Sequence, residues 1–485
     1  MLLGEVLVAN GWVTLAQVQA ALERQRRQGG SLGDSLVAIG AISGEKLRDA
    51  LTHVPAEPRD VAATGVPPRL LLELLLKIMY LKEIETPAQL GEALKLPAVV
   101  VDELLRMARD AGLVTVLGSA GGSLLGQLRH DLTQRGQERA RAALERSQYA
   151  GPAPVPLAAY IEQVERQHLT NERVTRDDLA PCFAHLVLPE RLLDELGPAA
   201  NSARAVLLYG PPGSGKTSIA ESLGRGFKGM VYVPRAIEVD GQVISVFDPA
   251  QHQSVGGAAQ IAGEGGQPAL MRESLDERWV LCRRPLVVAG GELRMDMVEL
   301  RYNAGDGLYE APLQLKAMNG IFMIDDFGRQ RIDPRDLLNR WILPLEKRFD
   351  FLHLPTGLKF RVPFDVLIVF STNLAPEALM DEAFLRRIPY KIRVGAPTAD
   401  EYAEIFRRGC ASRDVQCAPD ALEALRELYA RSGEPLASYH PGFLVDRVRD
   451  RARYRAAKPF VDRDALAAVW PNLFVQKAEK SPQTQ

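Results

Sequence analysis

Apolar positions recur with helical spacing along the first fifty or so residues, and the pattern occurs twice. Sliding the chain so that Leu3 falls on Leu32 superimposes Leu3-Gly4-Glu5 on Leu32-Gly33-Asp34 and Leu7-Val8-Ala9 on Leu36-Val37-Ala38. The match continues with Gly11 on Gly40, Val13-Thr14 on Ile42-Ser43, Val18 on Leu47 and Ala21-Leu22 on Ala50-Leu51. This repeat predicts two short helix pairs, each second helix starting at a hydroxyl N-cap. Thr14 and Gln17 are spaced as a capping box.

Further along, the spacing predicts an apolar helix over 68–81, a helix opening at Thr86-Pro87 and a third helix over 99–111. A strand over 114–117, a glycine-rich loop over 118–126 and a returning strand over 128–132 follow, and Thr133 then opens a helix to Leu144. The proline-rich stretch 150–156 reads as a stiff, poorly pairing connection and the clearest boundary.

In the second half the pattern changes to short unbroken apolar runs of buried-strand type at 205–209, 320–324 and 366–370, with helical stretches between them. This is the signature of an α/β core with a parallel sheet between helices. Two hairpins are expected, one over 349–354 and 358–362 around Pro355-Thr356-Gly357, the other over 236–239 and 242–247 around Asp240-Gly241. They are read equally as substrate-facing elements or as edge decorations. Residues 256–266 read as a mobile loop. The expected divisions are a helical repeat module (1–60), a three-helix domain with a wing (61–149), a linker and helix (150–179), an α/β core (180–395), a helical lid (396–475) and a tail (476–485).

Composition changes this picture little. The chain has 485 residues, 46% of them apolar and 25% charged, and a formal charge of −2, which is ordinary for a multidomain globular protein. At whole-chain level that charge gives no attraction to nucleic acid or to an anionic membrane. No secretory or spanning segment is expected, and a cytoplasmic location follows by default. Cys182, Cys282, Cys410 and Cys417 lack zinc-ligand spacing and are expected to be buried reduced thiols.

The chemistry is concentrated after the run at 205–209. It leads directly into Gly210-Pro211-Pro212-Gly213-Ser214-Gly215-Lys216-Thr217 and then a helix, the strand–loop–helix order of a P-loop. Glycines let the loop N–H groups wrap phosphate oxygens at a helix N-terminus. Lys216 is expected on the β- and γ-phosphates of ATP and the Thr217 hydroxyl on Mg²⁺. The second run ends in Asp325-Asp326, the layout of a Walker B motif, with Asp325 expected to hold Mg²⁺ through water.

These motifs, with Ser371-Thr372-Asn373 and Asp381 to Ile388 after them, make the stretch 180–473 resemble an AAA+ ATPase module with its lid, near the MoxR-like branches that carry a hairpin before sensor 1. The resemblance implies that Asn373 is the sensor-1 residue beside the attacking water and that Arg386 and Arg387 form the arginine-finger segment reaching a neighbouring subunit. It also implies that Asp326 polarises the water. Most members have glutamate there, and the shorter aspartate implies slow hydrolysis. In the sensor-2 turn, Tyr439-His440-Pro441-Gly442, glycine stands where arginine is common, leaving Arg447 or Arg449 as substitutes.

The N-terminal repeat resembles the N-terminal domain of type II secretion and type IV pilus assembly ATPases, which in some members binds cyclic di-GMP. Gln25 matches the end of the first motif, but Leu2 and Ser31 occupy the places of the usual arginines, which favours a docking module. The segment ending in Leu132-Thr133-x-x-Gly136 resembles a winged helix. Its third helix sets Asp102, Glu103 and Asp110 against Arg106 and Arg109, favouring protein contact, while Arg129, Arg135, Arg139 and Arg141 keep duplex DNA open. The leading expectation is a Mg²⁺-dependent ATPase forming a homo-oligomeric ring, a hexamer by family, that remodels or assembles a protein client. The alternatives are an ATP-controlled DNA-binding regulator and a cyclic di-GMP-responsive adaptor.

Overall fold

The computed structural model describes residues 4, 7–8, 11–28, 32–44, 46–47, 54–119, 128–255 and 275–474. Leu2 and Ser31, most of the glycine-rich loop at 118–126, the loop at 256–266 and the tail at 476–485 lie outside the described residues. Two compact units divide the chain. The first comprises Met1–Glu172, Phe227–Phe322 and Asn339–Leu367, the second Arg173–Gly226, Met323–Leu338 and Ile368–Gln485.

In the first unit, the helix Leu15–Gln28 starts at Thr14, whose hydroxyl accepts from the Gln17 N–H at 3.3 Å while its own N–H donates to Gln17 Oε1 at 2.7 Å. Leu7, Val13, Val18 and Ala21 from one copy of the repeat share a small core with Leu36, Ile42 and Leu47 from the other. A half-repeat is too short to bury its apolar stripe alone, so the two copies complete each other.

A separate core holds the helices Pro68–Lys82, Pro87–Leu94 and Ala98–Asp110, packed with parts of the antiparallel pair Val114–Ser119 and Leu128–Leu132 and the helix Gln134–Arg146. The first of these helices is buried nearly all round, including Glu73 and Lys77. Arg69, Arg139 and Arg146 converge on Glu73 at 3.2, 3.1 and 2.9 Å. Burial pushes the Glu73 carboxyl up, but hydrogen bonds from Arg146 and Arg69 and the nearby positive charge more than offset it and hold it below the usual carboxylate range.

The proline-rich connection departs from its expected character. Ala153 and Val155 are fully buried, and Val155–Pro156 forms the edge strand of a five-stranded sheet, parallel to Ala236–Val239. Proline is tolerated there because an edge strand needs donors on one side only. The hairpin Ala236–Val239 with Gln242–Ser245 is therefore interior to that sheet, flanked on its other side by Leu308–Glu310, and is no edge decoration. Asp240 (φ 51°) and Gly241 (φ 76°) supply its two left-handed turn positions. The second hairpin pairs Phe349–His353 with Lys359–Pro363 as expected. Buried Asp365 joins the base of two strands: it accepts from Asn319 Nδ2 at 2.7 Å and from the Leu169 N–H at 2.8 Å, and pairs with Arg348 at 3.0 Å.

The second unit carries much of a five-stranded sheet. Four strands are labelled in chain order: β1 (Val206–Tyr209), β2 (Gly320–Ile324), β3 (Val366–Thr372) and β4 (Tyr390–Arg393). Their order is β4-β1-β3-β2, and β1 runs parallel to both β3 and β4. Every residue of β2 and β3 is buried, as unbroken apolar runs demand. The fold is α/β, with a helix entered directly from the loop after β1. Beyond the sheet, Ala399–Ala411, Ala421–Ser432, His440–Tyr454 and Arg463–Val469 form a helical bundle around Phe406, Leu425, Leu444 and Leu466.

All four cysteines are free thiols, but only Cys282 and Cys410 are buried: Cys182 is half-buried, and Cys417 is exposed on a short strand paired with Phe460–Val461. No helix among the described residues is long and apolar enough to cross a membrane.

Candidate nucleotide-binding site

The loop 210–217 leaves β1 through Gly210 at φ 152°, where a Cβ would lie 2.0 Å from the Val394 carbonyl oxygen. Any side chain would collide with the backbone leaving β4, so the loop cannot start here without glycine. Gly215 caps the helix Lys216–Gly224 in the left-handed region. Lys216 is buried, and its Nζ donates to the carbonyls of Gly210 at 3.0 Å and Pro211 at 2.9 Å, folding the loop back over its own lysine. Burial pulls the Lys216 pKa below its ordinary value, with Asp326 and Asp325 acting in the opposite sense. The Ser214 hydroxyl is buried without a hydrogen-bond partner among the described residues. A loop with left-handed glycines, an orphaned buried hydroxyl, a buried lysine and a helix N-terminus fits a phosphate chain.

Asp325 follows β2 directly. Its Oδ2 accepts from Thr217 Oγ1 at 2.9 Å and its Oδ1 from the Asp326 N–H at 3.1 Å. The two side chains bring hard oxygen donors together, the donor set that Mg²⁺ prefers. Thr217 and Asp325 would hold the ion, which supplies charge neutralisation between phosphate oxygens when bound. Asp326 is exposed and left-handed at φ 49°. Gln330 stabilises that turn: its Nε2 donates to the carbonyls of Asp325 at 2.7 Å and Asp326 at 3.1 Å, and its Oε1 accepts from the Gly328 N–H at 2.8 Å. Nothing in the spacing of the motif singles out Gln330 beforehand.

Asn373 stands just past β3, the strand next to β1, and is half-buried. Its position is fixed through its neighbours. The Phe327 N–H donates to the Ser371 carbonyl at 2.7 Å, and Thr372 Oγ1 donates to the Phe327 carbonyl at 2.8 Å, linking the turn after β2 to the end of β3. The phosphate loop, Asp325-Asp326 and Asn373 thus all follow the C-terminal ends of adjacent parallel strands, where open α/β sheets bind ligands. Arg386 and Arg387 follow the short helix Glu382–Leu385, ahead of β4. Arg386 is exposed and paired with Glu382 at 2.7 Å, and Arg387 donates to the Ala383 carbonyl at 2.8 Å.

Among solved structures, NtrX from Brucella abortus in complex with ADP is similar at 15% identity and a TM-score of 0.37, covering 61% of this chain and 56% of that one. The Holliday junction branch migration motor RuvB from Thermotoga maritima is similar at 16% identity and a TM-score of 0.32, covering 59% and 70%. The chain thus spans just over half the length of NtrX. A family described as a domain of unknown function, DUF8689, matches residues 398–472, within the helical bundle. No curated protein matches.

The turn Tyr439-His440-Pro441-Gly442 packs against a residue that sequence reasoning missed. A Cβ on Gly442 would meet the Arg413 guanidinium at 3.1 Å, and Arg413 makes a bidentate pair with Asp446 at 2.8 and 2.9 Å. Arg447 pairs with Asp450 at 2.9 Å and Arg449 with Asp446 at 3.2 Å. Arg413 lies on the segment after a different helix, so no local motif could have found it.

Proposed function

We propose that this protein is a Mg²⁺-dependent ATPase of the AAA+ type that acts as a homo-oligomeric ring and couples hydrolysis to remodelling or assembly of a protein client. The observation that carries the proposal is the 2.9 Å contact between Thr217 Oγ1 and Asp325 Oδ2, which aligns the P-loop with the end of β2. In this reading the loop 210–217 binds the phosphates, Thr217 and Asp325 hold the metal, and Asp326 and Asn373 orient the attacking water. The high exposure of Arg386, beside Arg387 at the end of a short helix, supports a role in trans.

A protein client is favoured over DNA by the use of the winged segment's basic residues. Arg129 pairs with Glu85, Arg139 with Glu73, and Arg141 donates to the Tyr80 hydroxyl at 2.8 Å, leaving fewer cations free for phosphate contact. A cyclic di-GMP role for residues 1–60 has no such support.

The test is steady-state ATP hydrolysis across a protein concentration series, with Lys216→Ala, Asp326→Asn and Arg387→Ala alongside. Turnover that rises with assembly and disappears in all three variants is expected. A near-zero wild type that binds ATP tightly and matches all three variants would replace the motor with a nucleotide-gated switch.

A further inference from the structure

The residue that opens the helix His440–Tyr454 touches the P-loop. A Cβ built on Gly213, which sits at φ 73°, would fall 2.2 Å from Cδ1 and 2.6 Å from Cε1 of Tyr439. The Tyr439 ring therefore packs directly on the Gly213 backbone, yet the residue stays 51% exposed. No side chain extends from Gly442 one turn later, so the aromatic ring is the contact this helix start offers to the loop.

Tyr439 is also the outer end of a continuous aromatic series. Its ring packs edge-on against His440 with centroids 4.4 Å apart. His440 Nδ1 lies 2.5 Å from the Tyr429 hydroxyl, and the two rings stack at 5.9 Å. Tyr429 meets Trp470 edge-on at 4.8 Å, and its hydroxyl lies 2.9 Å from that of Tyr402. Burial pulls the His440 pKa down to about 4 and pushes that of Tyr429 up to about 12, so at neutral pH an uncharged imidazole accepts from a protonated phenol. Aromatic pairs in such geometry stabilise one another beyond the area they bury, and a packed series has few alternative arrangements.

We infer that Tyr439 is a nucleotide-responsive positioning residue: its seat on Gly213 conveys the occupancy of the P-loop by a nucleoside di- or triphosphate, through His440 and Tyr429, to the helical bundle around Trp470. The inference rests on the reading of the loop 210–217 as a nucleotide site. A loop that wraps phosphate with its own N–H groups must settle its backbone on the ligand, and Gly213 carries the ring on that backbone. The movement then reaches the Tyr429 hydrogen bond and the environment of Trp470. No chemistry at Tyr439 is required.

The test combines calorimetric titration of the full chain with ADP and ATP in Mg²⁺ with tryptophan emission over the same titration. Wild type is expected to bind and to change its emission, and Trp470→Phe to bind equally while losing most of the change. Tyr439→Phe should behave as wild type. Tyr439→Ala should bind about tenfold more weakly, the loss of one good contact, and lose the emission change. Tyr439→Leu, which keeps apolar bulk, should retain the fold by thermal melting but not the emission change. Wild-type affinity and wild-type emission change in Tyr439→Ala overturn the inference, as does a bound wild type with silent emission. Absence of calorimetric binding in wild type, or binding indifferent to Lys216→Ala, instead defeats the nucleotide-site reading beneath it.

Discussion

Thr217 donates its hydroxyl hydrogen bond to Asp325 across 2.9 Å, joining the first turn of the helix Lys216–Gly224 to the carboxylate just past β2, a buried strand separated from β1 by β3. Thr217→Val preserves the shape of the side chain and removes the oxygen, and Asp325→Asn removes the charge. Each should lower Mg²⁺-supported hydrolysis by roughly 10² or more, the scale of several kcal/mol of lost charge stabilisation. Thr217→Val should also move the Mg²⁺ dependence to higher concentration. Phosphate release measured against Mg²⁺ checks both, and unchanged Mg²⁺ curves would show that the pair is structural only.

Asp326 combines a functional expectation with a backbone constraint. At φ 49° a non-glycine residue pays about 1–2 kcal/mol, which aspartate and asparagine tolerate best. Asp326→Asn should therefore keep wild-type stability while losing hydrolysis, and Asp326→Glu should raise turnover by restoring the reach of the longer carboxylate at a small cost in melting temperature. If Asp326→Asn hydrolyses at the wild-type rate, the polarising group lies elsewhere.

Where the sequence was legible, local chemistry coincided with the tertiary solution. Thr86-Pro87 and Thr133 open their helices as their hydroxyls and spacing require, and the unbroken apolar runs at 320–324 and 366–370 are strands buried over their whole length. The candidate loop 210–217 stands out because phosphate binding needs glycine, lysine and hydroxyl at fixed intervals on one short segment, and the candidates Asp325, Asp326 and Asn373 because they follow unbroken apolar runs. What escaped depends on contacts distant in sequence. Pro156 reads as a breaker, and only the edge of a sheet completed by Ala236–Val239 gives it a strand partner. Tyr439 against Gly213 and Arg413 against Gly442 join segments whose proximity no periodicity encodes.

His440 makes a prediction about acid stability. Its pKa is lowered from 6.5 to about 4 by burial, so the folded state binds its proton less readily than the unfolded state. Above pH 6.5 both states are neutral and the group contributes no pH dependence. As pH falls from about 6.5 to about 4 the unfolded chain takes up the proton first, and stability is lost through that window and then levels off. His440→Gln, whose amide oxygen can still accept from Tyr429, should show a smaller loss between these limits. Urea midpoints at pH 7 and pH 4.5 for both proteins make the comparison, and equal losses would remove His440 from the acid response.

Gly210 tests the loop's dependence on close backbone approach. Gly210→Ala places a methyl carbon 2.0 Å from the Val394 carbonyl oxygen, and neither backbone can yield without disturbing the pairing of β1 with β4. The cost should be at least about 1–3 kcal/mol, the usual range for overpacking, read as a lower denaturation midpoint together with weaker nucleotide binding. A variant of full stability would mean that the loop exit has slack.

Arg386 and Arg387 separate a ring from a monomer. Arg386 is held by Glu382, and Arg387 donates to the Ala383 carbonyl, both on the same short helix. If Arg387 acts on a neighbour's nucleotide, Arg387→Ala is defective as a donor of the finger and intact as a P-loop, whereas Lys216→Ala is the reverse. Mixing the two inactive proteins should then restore measurable hydrolysis, because some interfaces pair an intact P-loop with an intact arginine, and the recovered rate should pass through a maximum as the ratio is varied. Loss of an arginine finger costs roughly 10³–10⁵ in rate in well-studied NTPases, so even a small fraction of complementing interfaces stands out above either parent. A mixture that stays at the parental baseline at every ratio, from proteins that still co-assemble by light scattering, would place the action of Arg387 within its own subunit or outside catalysis.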